Sequence, residues 1–169
     1  QATPVTRAVT VPTGVSWLKV HSTPYEPAGV GPLNPAFSFR IEAQSASPGN
    51  TTIAGISDWD NAQVRKIGFS YLHNLKTCPA AIPRQLTSLS FFMFGSNGFN
   101  SSDINTWNTR NIKDFSRAFS SCTAFNQPMA AWDTSNGENF NAMFSGSSNF
   151  AGDPKLWNME KAVDTGLMF

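Results

Sequence analysis

The chain has 169 residues, 40% of them apolar, which suits one domain with a substantial buried core. Charged side chains make up only 14%, and twelve basic against eleven acidic groups leave a net charge of +1, so no strong field draws the chain to nucleic acid or anionic lipid. No apolar run reaches the ~18 residues of a membrane span, no targeting segment is recognisable, and two histidines with two cysteines offer little for metal or acid–base chemistry.

In chain order, the first region is rich in proline: seven of the eleven prolines fall in residues 1–48, a spacing that no helix tolerates. Within it, Phe37, Phe39 and Ile41 alternate with Ser38, Arg40 and Glu42, the period-2 pattern of a half-buried strand. Val15-Ser-Trp-Leu-Lys-Val20 is a second strand candidate. The proline-spaced segment at 24–35 and Ser45-Ala-Ser-Pro-Gly-Asn50 read as loops. Residues 1–52 are therefore expected to form a small β-rich arm or cap, with the first dozen residues extended onto a neighbour.

From residue 53 to 169 the chain repeats. Phe69, Phe94, Phe119, Phe144 and Phe169 are each 25 residues apart, and Trp107, Trp132 and Trp157 keep the same interval. Phe115 and Phe140 do so too, as do Phe125 and Phe150. In this alignment the copy starting at Phe94 is one residue short before Phe99, and Leu75 and Ile82 stand in the aromatic places of the first copy. A period of this length points to stacked coils, each burying its apolar stripe against the next. Ile112, Phe115 and Phe119 have helical spacing, a Ser/Gly/Asn-rich turn follows, and the stretch from the second aromatic to Trp reads as a short strand. The expected fold is thus an α/β solenoid of four to five coils carrying ladders of Phe and Trp.

The segment Phe-x-x-Cys-x-x-Phe-Asn-Gln-x-x-x-x-Trp-Asp-Thr-Ser-Asn, from Phe119 to Asn136, resembles the BspA-type leucine-rich-repeat-like family. That repeat occurs in mycoplasma surface lipoproteins, other bacterial surface proteins and some phage structural proteins. The resemblance covers residues 55–169 and departs from the family pattern at Gly137 and at Asp153-Pro-Lys. It implies a right-handed leucine-rich-like solenoid, an extracellular, cell-surface or virion-surface location, and a role in attachment or recognition. It brings no catalytic residues.

Chemistry-bearing residues read mostly as structural. Cys122 takes the turn place of Ser147 one coil later, and Cys78 lies elsewhere in its own coil, which argues against a bridge within the ~7 Å Cα limit. His73 reads as a surface residue of a turn. No nucleophile motif is present, Asp58, Asp60 and Asp103 lack calcium-loop spacing, and neither cofactor nor metal is expected. Asn50-Thr-Thr and Asn100-Ser-Ser have the form of glycosylation sequons. The Trp ladder reads as core, with sugar stacking as the alternative for exposed rings.

Two classes of function remain, neither enzymatic. The first is a recognition or adhesion module with a protein or glycan ligand, its candidate binding residues being Ser102, Asp103, Asn105, Gln127, Asp153 and Lys155. The second is a structural assembly protein, such as a virion decoration or tail component or a surface-filament subunit, that packs against its own copies. It rests on the Pro-rich arm, the low charge and a repeat that reaches Phe169 without a polar cap. Such an end is expected either to continue or to pack on a neighbour.

Overall fold

In a computed structural model of the protein, the described residues are 17–19, 38–42, 55–58 and 65–169. The proline-spaced loop at 24–35, the turn at 45–50, Asp60 and the arm at the start of the chain lie outside them.

The four strands are β1 (Trp17–Lys19), β2 (Ser38–Glu42), β3 (Gly55–Asp58) and β4 (Lys66–Ser70). They form two parallel pairs, β1 with β3 and β2 with β4. β1 and β2 fall where the two sequence patterns place strands, and both pair with residues of the repeat. Each ladder then runs on by single bridges. Gly55 bridges Thr77, and on the second ladder Lys66, Ser88, Asp114, Asn139 and Asp164 follow one another, all parallel. Counting Ser38, the second ladder has six rungs.

Backbone hydrogen bonds hold these rungs together. Lys113 and Asp114 donate back to the Thr87 carbonyl, while Phe115 donates forward to Asn139, Arg117 to Asn141, Phe119 to Met143 and Ser121 to Ser145. The same set recurs from Phe140 to Phe144 with acceptors at Asp164, Gly166 and Met168. Alternate N–H groups of this stretch thus donate to the next coil, while those between them, such as Ala118 to Phe115 and Met143 to Phe140, close tight turns within their own coil.

That pattern corrects the helical expectation for the stretch containing Ile112, Phe115 and Phe119. No α-helix occurs among the described residues. The reason is left-handed residues at two fixed places of the coil, both filled in the three coils that contain Phe91, Arg117 and Ala142. One set is Phe91, Arg117, Ala142 and Leu167, with φ of 57°, 53°, 51° and 54°. The other is Tyr71, Gly95, Ser121 and Gly146, with φ of 60°, 69°, 59° and 75°. A residue at positive φ ends a right-handed helix, so the chain turns twice and the four-residue Phe spacing becomes two inward rings of one kinked coil. The strand expected between the second aromatic and Trp survives as pairing at β1, β3 and Thr77. Farther along it is replaced by the 3-10 turns Ser102–Thr106 and Pro154–Leu156.

The alignment of Phe94 with Phe119 is also corrected. Met93 donates to Ala118, as Phe119 does to Met143 and Phe144 to Met168, so Met93 takes the ladder place between Phe69 and Phe119. Met93 is fully buried, whereas Phe94 is half-buried and packs edge-on against Tyr71 with ring centroids 5.3 Å apart. In this register every turn has the same length, and the extra residue falls between Phe99 and Trp107, in the longer 3-10 turn. Phe92 is the large member of the neighbouring place, followed by Ala118, Met143 and Met168, and its ring meets Phe69, Phe99, Trp107 and Phe119.

The core is one continuous column. Phe99, Phe119, Phe125, Phe144 and Phe150 lie with near-parallel rings, and Trp107, Trp132 and Trp157 form a second stack with centroids 6.1 and 6.4 Å apart. Each indole nitrogen donates to a carbonyl of the preceding coil: Trp107 to Pro79, Trp132 to Ile104 and Trp157 to Met129.

Candidate functional site

Because the inward places are filled and the backbone is engaged coil to coil, any recognition surface must be made of outward side chains. The residue two before each inward Leu89, Phe115 and Phe140 points outward from the second ladder. The residues at this place, from the β4 coil onward, are Arg65, Thr87, Lys113, Glu138 and Val163, joined in series by the bonds Thr87 to Arg65, Lys113 to Thr87, Glu138 to Lys113 and Val163 to Glu138. In this order they are cationic, neutral, cationic, acidic and apolar. Lys113 and Glu138 form an ion pair at 2.7 Å with both side chains about half exposed.

Beside this row lies an open cleft of about 610 Å³, lined by Arg65, Gln85, Thr87, Asn111, Lys113 and Asn136. Its amides stand at one place of successive coils. Asn111 Nδ2 donates to the Arg84 carbonyl and Asn136 Nδ2 to that of Arg110, at 3.2 and 3.0 Å. Farther along the same face Arg117 and Lys66 both stand over the Phe91 ring, at 5.4 and 5.9 Å from its centre.

The six residues singled out in the sequence lie elsewhere, along the edge that continues the first ladder. Ser102 is exposed at the start of its 3-10 turn, and Asp103 accepts from Ser101 Oγ at 2.8 Å. Asn105 and Gln127 are brought together: Asn105 Nδ2 donates to Gln127 Oε1 at 3.0 Å, and Gln127 Nε2 donates to the carbonyl and side-chain oxygens of Asn100. Asp153 and Lys155 pair with each other at 3.0 Å. The Lys155 backbone N–H and its ammonium hold the Asp153 carboxyl below its ordinary range. Asn105 and Gln127 therefore tie coils together with their own amides, and Asp153 with Lys155 closes a local turn. The sequence reading passed over the Arg65 row because those residues share no type. Their fixed distance before an inward Leu or Phe is the signal that marks them.

The remaining candidates are placed plainly. His73 is exposed, and Trp132 is buried. Cys78 and Cys122 are free and buried, and burial pushes both thiols up to about 12. Cys122 donates through Sγ to the Met93 carbonyl, as Ser96 does through Oγ to Phe69 and Ser147 to Phe119. Among the described residues no group of three or more His, Cys, Asp or Glu could hold a metal ion, and every buried side-chain nitrogen or oxygen has a partner. No helix among them is long and apolar enough to cross a membrane.

No curated protein and no solved structure matches this chain. One family profile does, over residues 83–169, the part containing the regular aromatic coils. The chain belongs to the family described as Mycoplasma protein of unknown function, DUF285.

Proposed function

We propose that the protein is a non-enzymatic recognition module: a right-handed, leucine-rich-like solenoid of the BspA type, displayed at a cell or virion surface, that binds a protein or glycan through the outward face of its second ladder. It needs no cofactor, because the work is done by shape and hydrogen bonding over several coils. The observation that carries this reading is the division of labour within each coil. Inward places repeat the same bulky residues, whereas the outward row changes chemistry at every step from Arg65 to Val163 while its backbone register stays fixed. The test is to probe the chain against glycan and peptide arrays, then repeat with Thr87→Glu/Lys113→Glu on the ladder face and with Asp153→Ala/Lys155→Ala on the opposite edge. The reading predicts loss of the captured ligand in the first variant and retention in the second; the reverse pattern would move the site to the edge.

A second reading, structural assembly through self-packing, is favoured by one observation. Leu156, Val163, Leu167 and Phe169 are 66–87% exposed, large apolar side chains available for contact with a neighbour. Light scattering after size exclusion across a wide concentration range separates the two. A mass that stays monomeric favours the recognition module, and growth into large oligomers favours assembly.

A further inference from the structure

We propose that the ligand of the ladder face is an acidic polysaccharide, a sugar chain bearing carboxylate or sulfate groups, lying along the stack in the cleft between Arg65 and Asn136. This deepens the recognition reading and rests on it. Three observations select the ligand class.

The first is the lining. Arg65, Gln85, Thr87, Asn111, Lys113 and Asn136 supply two cations, three amides and a hydroxyl, with no acid and no bulky apolar group. Planar amides offer a donor and an acceptor side by side, which suits the paired hydroxyls of a sugar, and the cations suit its anionic substituents. Gln85 makes no side-chain hydrogen bond to another described residue, and neither does the Asn111 side-chain oxygen, so both remain available to a ligand.

The second is what the cleft withholds. The backbone groups of the ladder are bonded from coil to coil, so an acidic peptide cannot add as a strand there, and no bulky apolar residue lines the cleft to anchor its side chains. No aromatic ring lines the cleft as a platform for nucleic-acid bases.

The third is spacing. Arg65 and Lys113 occupy the same place two coils apart, about 10 Å along the stack at ~4.8 Å per coil. A periodic scaffold of this kind suits a periodic polymer whose anionic groups recur along its length. Lys113 is held by Glu138 in an exposed pair, and exposed pairs are weak. A ligand anion can therefore replace Glu138, which acts as an intramolecular competitor for the Lys113 ammonium.

The experiment measures binding of the full 169-residue chain to size-defined heparin and polygalacturonate oligosaccharides by calorimetry at low and high salt. Neutral dextran, poly-glutamate and single-stranded DNA serve as comparison ligands. The expected result is salt-sensitive binding of at least one acidic sugar. Arg65→Ala and Lys113→Ala should each weaken it about five- to tenfold, and Glu138→Gln should strengthen it. Lys155→Ala, on the other edge, should leave it unchanged. Circular dichroism and thermal unfolding must show all four variants folded; should Arg65→Ala fail, Gln85→Ala takes its place as an exposed change in the same cleft. Binding that falls equally in Lys113→Ala and Lys155→Ala, or poly-glutamate or DNA competing as well as the sugars, would overturn the proposal as mere charge attraction. Absence of acidic-sugar binding, while another ligand is still lost on Thr87→Glu/Lys113→Glu, would overturn the ligand class and leave the recognition reading standing.

Discussion

At the scale of single residues, the low charge and high Asn and Ser content have a structural cause. Polar side chains in this chain complete backbone bonding between coils. Asn126 accepts from the Ala151 N–H as Asn100 accepts from that of Asn126, and Thr109 and Thr134 donate to the carbonyls of Asp133 and Asn158. Asp114, Asn139 and Asp164 each cap the N–H two residues on, the turn-forming use of such side chains. Ser147 both donates to Phe119 and accepts from the Cys122 N–H. Ser147→Ala should therefore cost about 1–3 kcal/mol in denaturant unfolding, whereas Cys122→Ser should be nearly neutral, since Ser already fills that place in the coils on either side. The thiols give a pH signature. Folding raises both from 9.0 to about 12, so the unfolded chain loses these protons first. Their stabilising effect is complete below pH 9 and is lost as the pH rises from 9 towards 12. A Cys78→Ser/Cys122→Ser variant should show a shallower alkaline decline in melting temperature, and native protein should react with thiol reagents far more slowly than unfolded protein. An equal decline in both proteins would contradict the assignment.

At the scale of the coil, the left-handed residues decide the local fold. Gly146 has φ of 75°, and a Cβ there would lie 3.3 Å from Ser121 Oγ; at Gly95, with φ of 69°, it would fall 2.6 Å from the Tyr71 ring. Gly146→Ala should cost about 1–2 kcal/mol from backbone strain alone, and Gly95→Ala more, because the ring must move as well. Ser121→Gly, at the same place, should stay within about 1 kcal/mol of the parent protein, strain relief offsetting lost chain stiffness. Thermal and denaturant melts check all three, and equal losses at Gly146 and Ser121 would contradict the shared geometry. Trp132→Ala should cost about 3–5 kcal/mol through the cavity it leaves, to which loss of the indole bond to Ile104 adds. The sequence made the period legible because bulky aromatic residues recur at one interval. It did not reveal the kink, since positive φ falls on Phe91, Arg117 and Ala142, residue types that advertise no turn. Phe94 misled for a related reason: four aromatic or Met side chains at 91–94 fit the period about equally well, and only the hydrogen bond from Met93 to Ala118 selects among them. Variable polar residues along an edge suggest a binding surface, but the variability at Asn105 and Gln127 reflects different ways of tying one coil to the next.

For the whole molecule, each coil contacts mainly its neighbours, so stability is expected to be close to a sum of coil and interface contributions. The outward row then changes freely as long as inward places hold, which is why charge passes from Arg65 and Lys113 to Glu138 without disturbing the ladder. Sequence patterns located β1 and β2, yet their parallel pairing with β3 and β4 depends on partners about 38 and 28 residues away, respectively, which no local pattern encodes. The central claim is that residues 65–169 are held by bonds between coils rather than by helices within them. Native-state hydrogen exchange resolved to single amides tests it most directly. The account predicts slow exchange recurring at Leu89, Phe115 and Phe140, and at Met93, Phe119 and Phe144, with the exposed amides of Arg110 and Ser135 exchanging fast. Fast exchange at Phe115, Phe119 and Phe140, whose acceptors lie in the next coil, with protection confined to amides such as Ala118 and Ser120 that bond within their own, would contradict it.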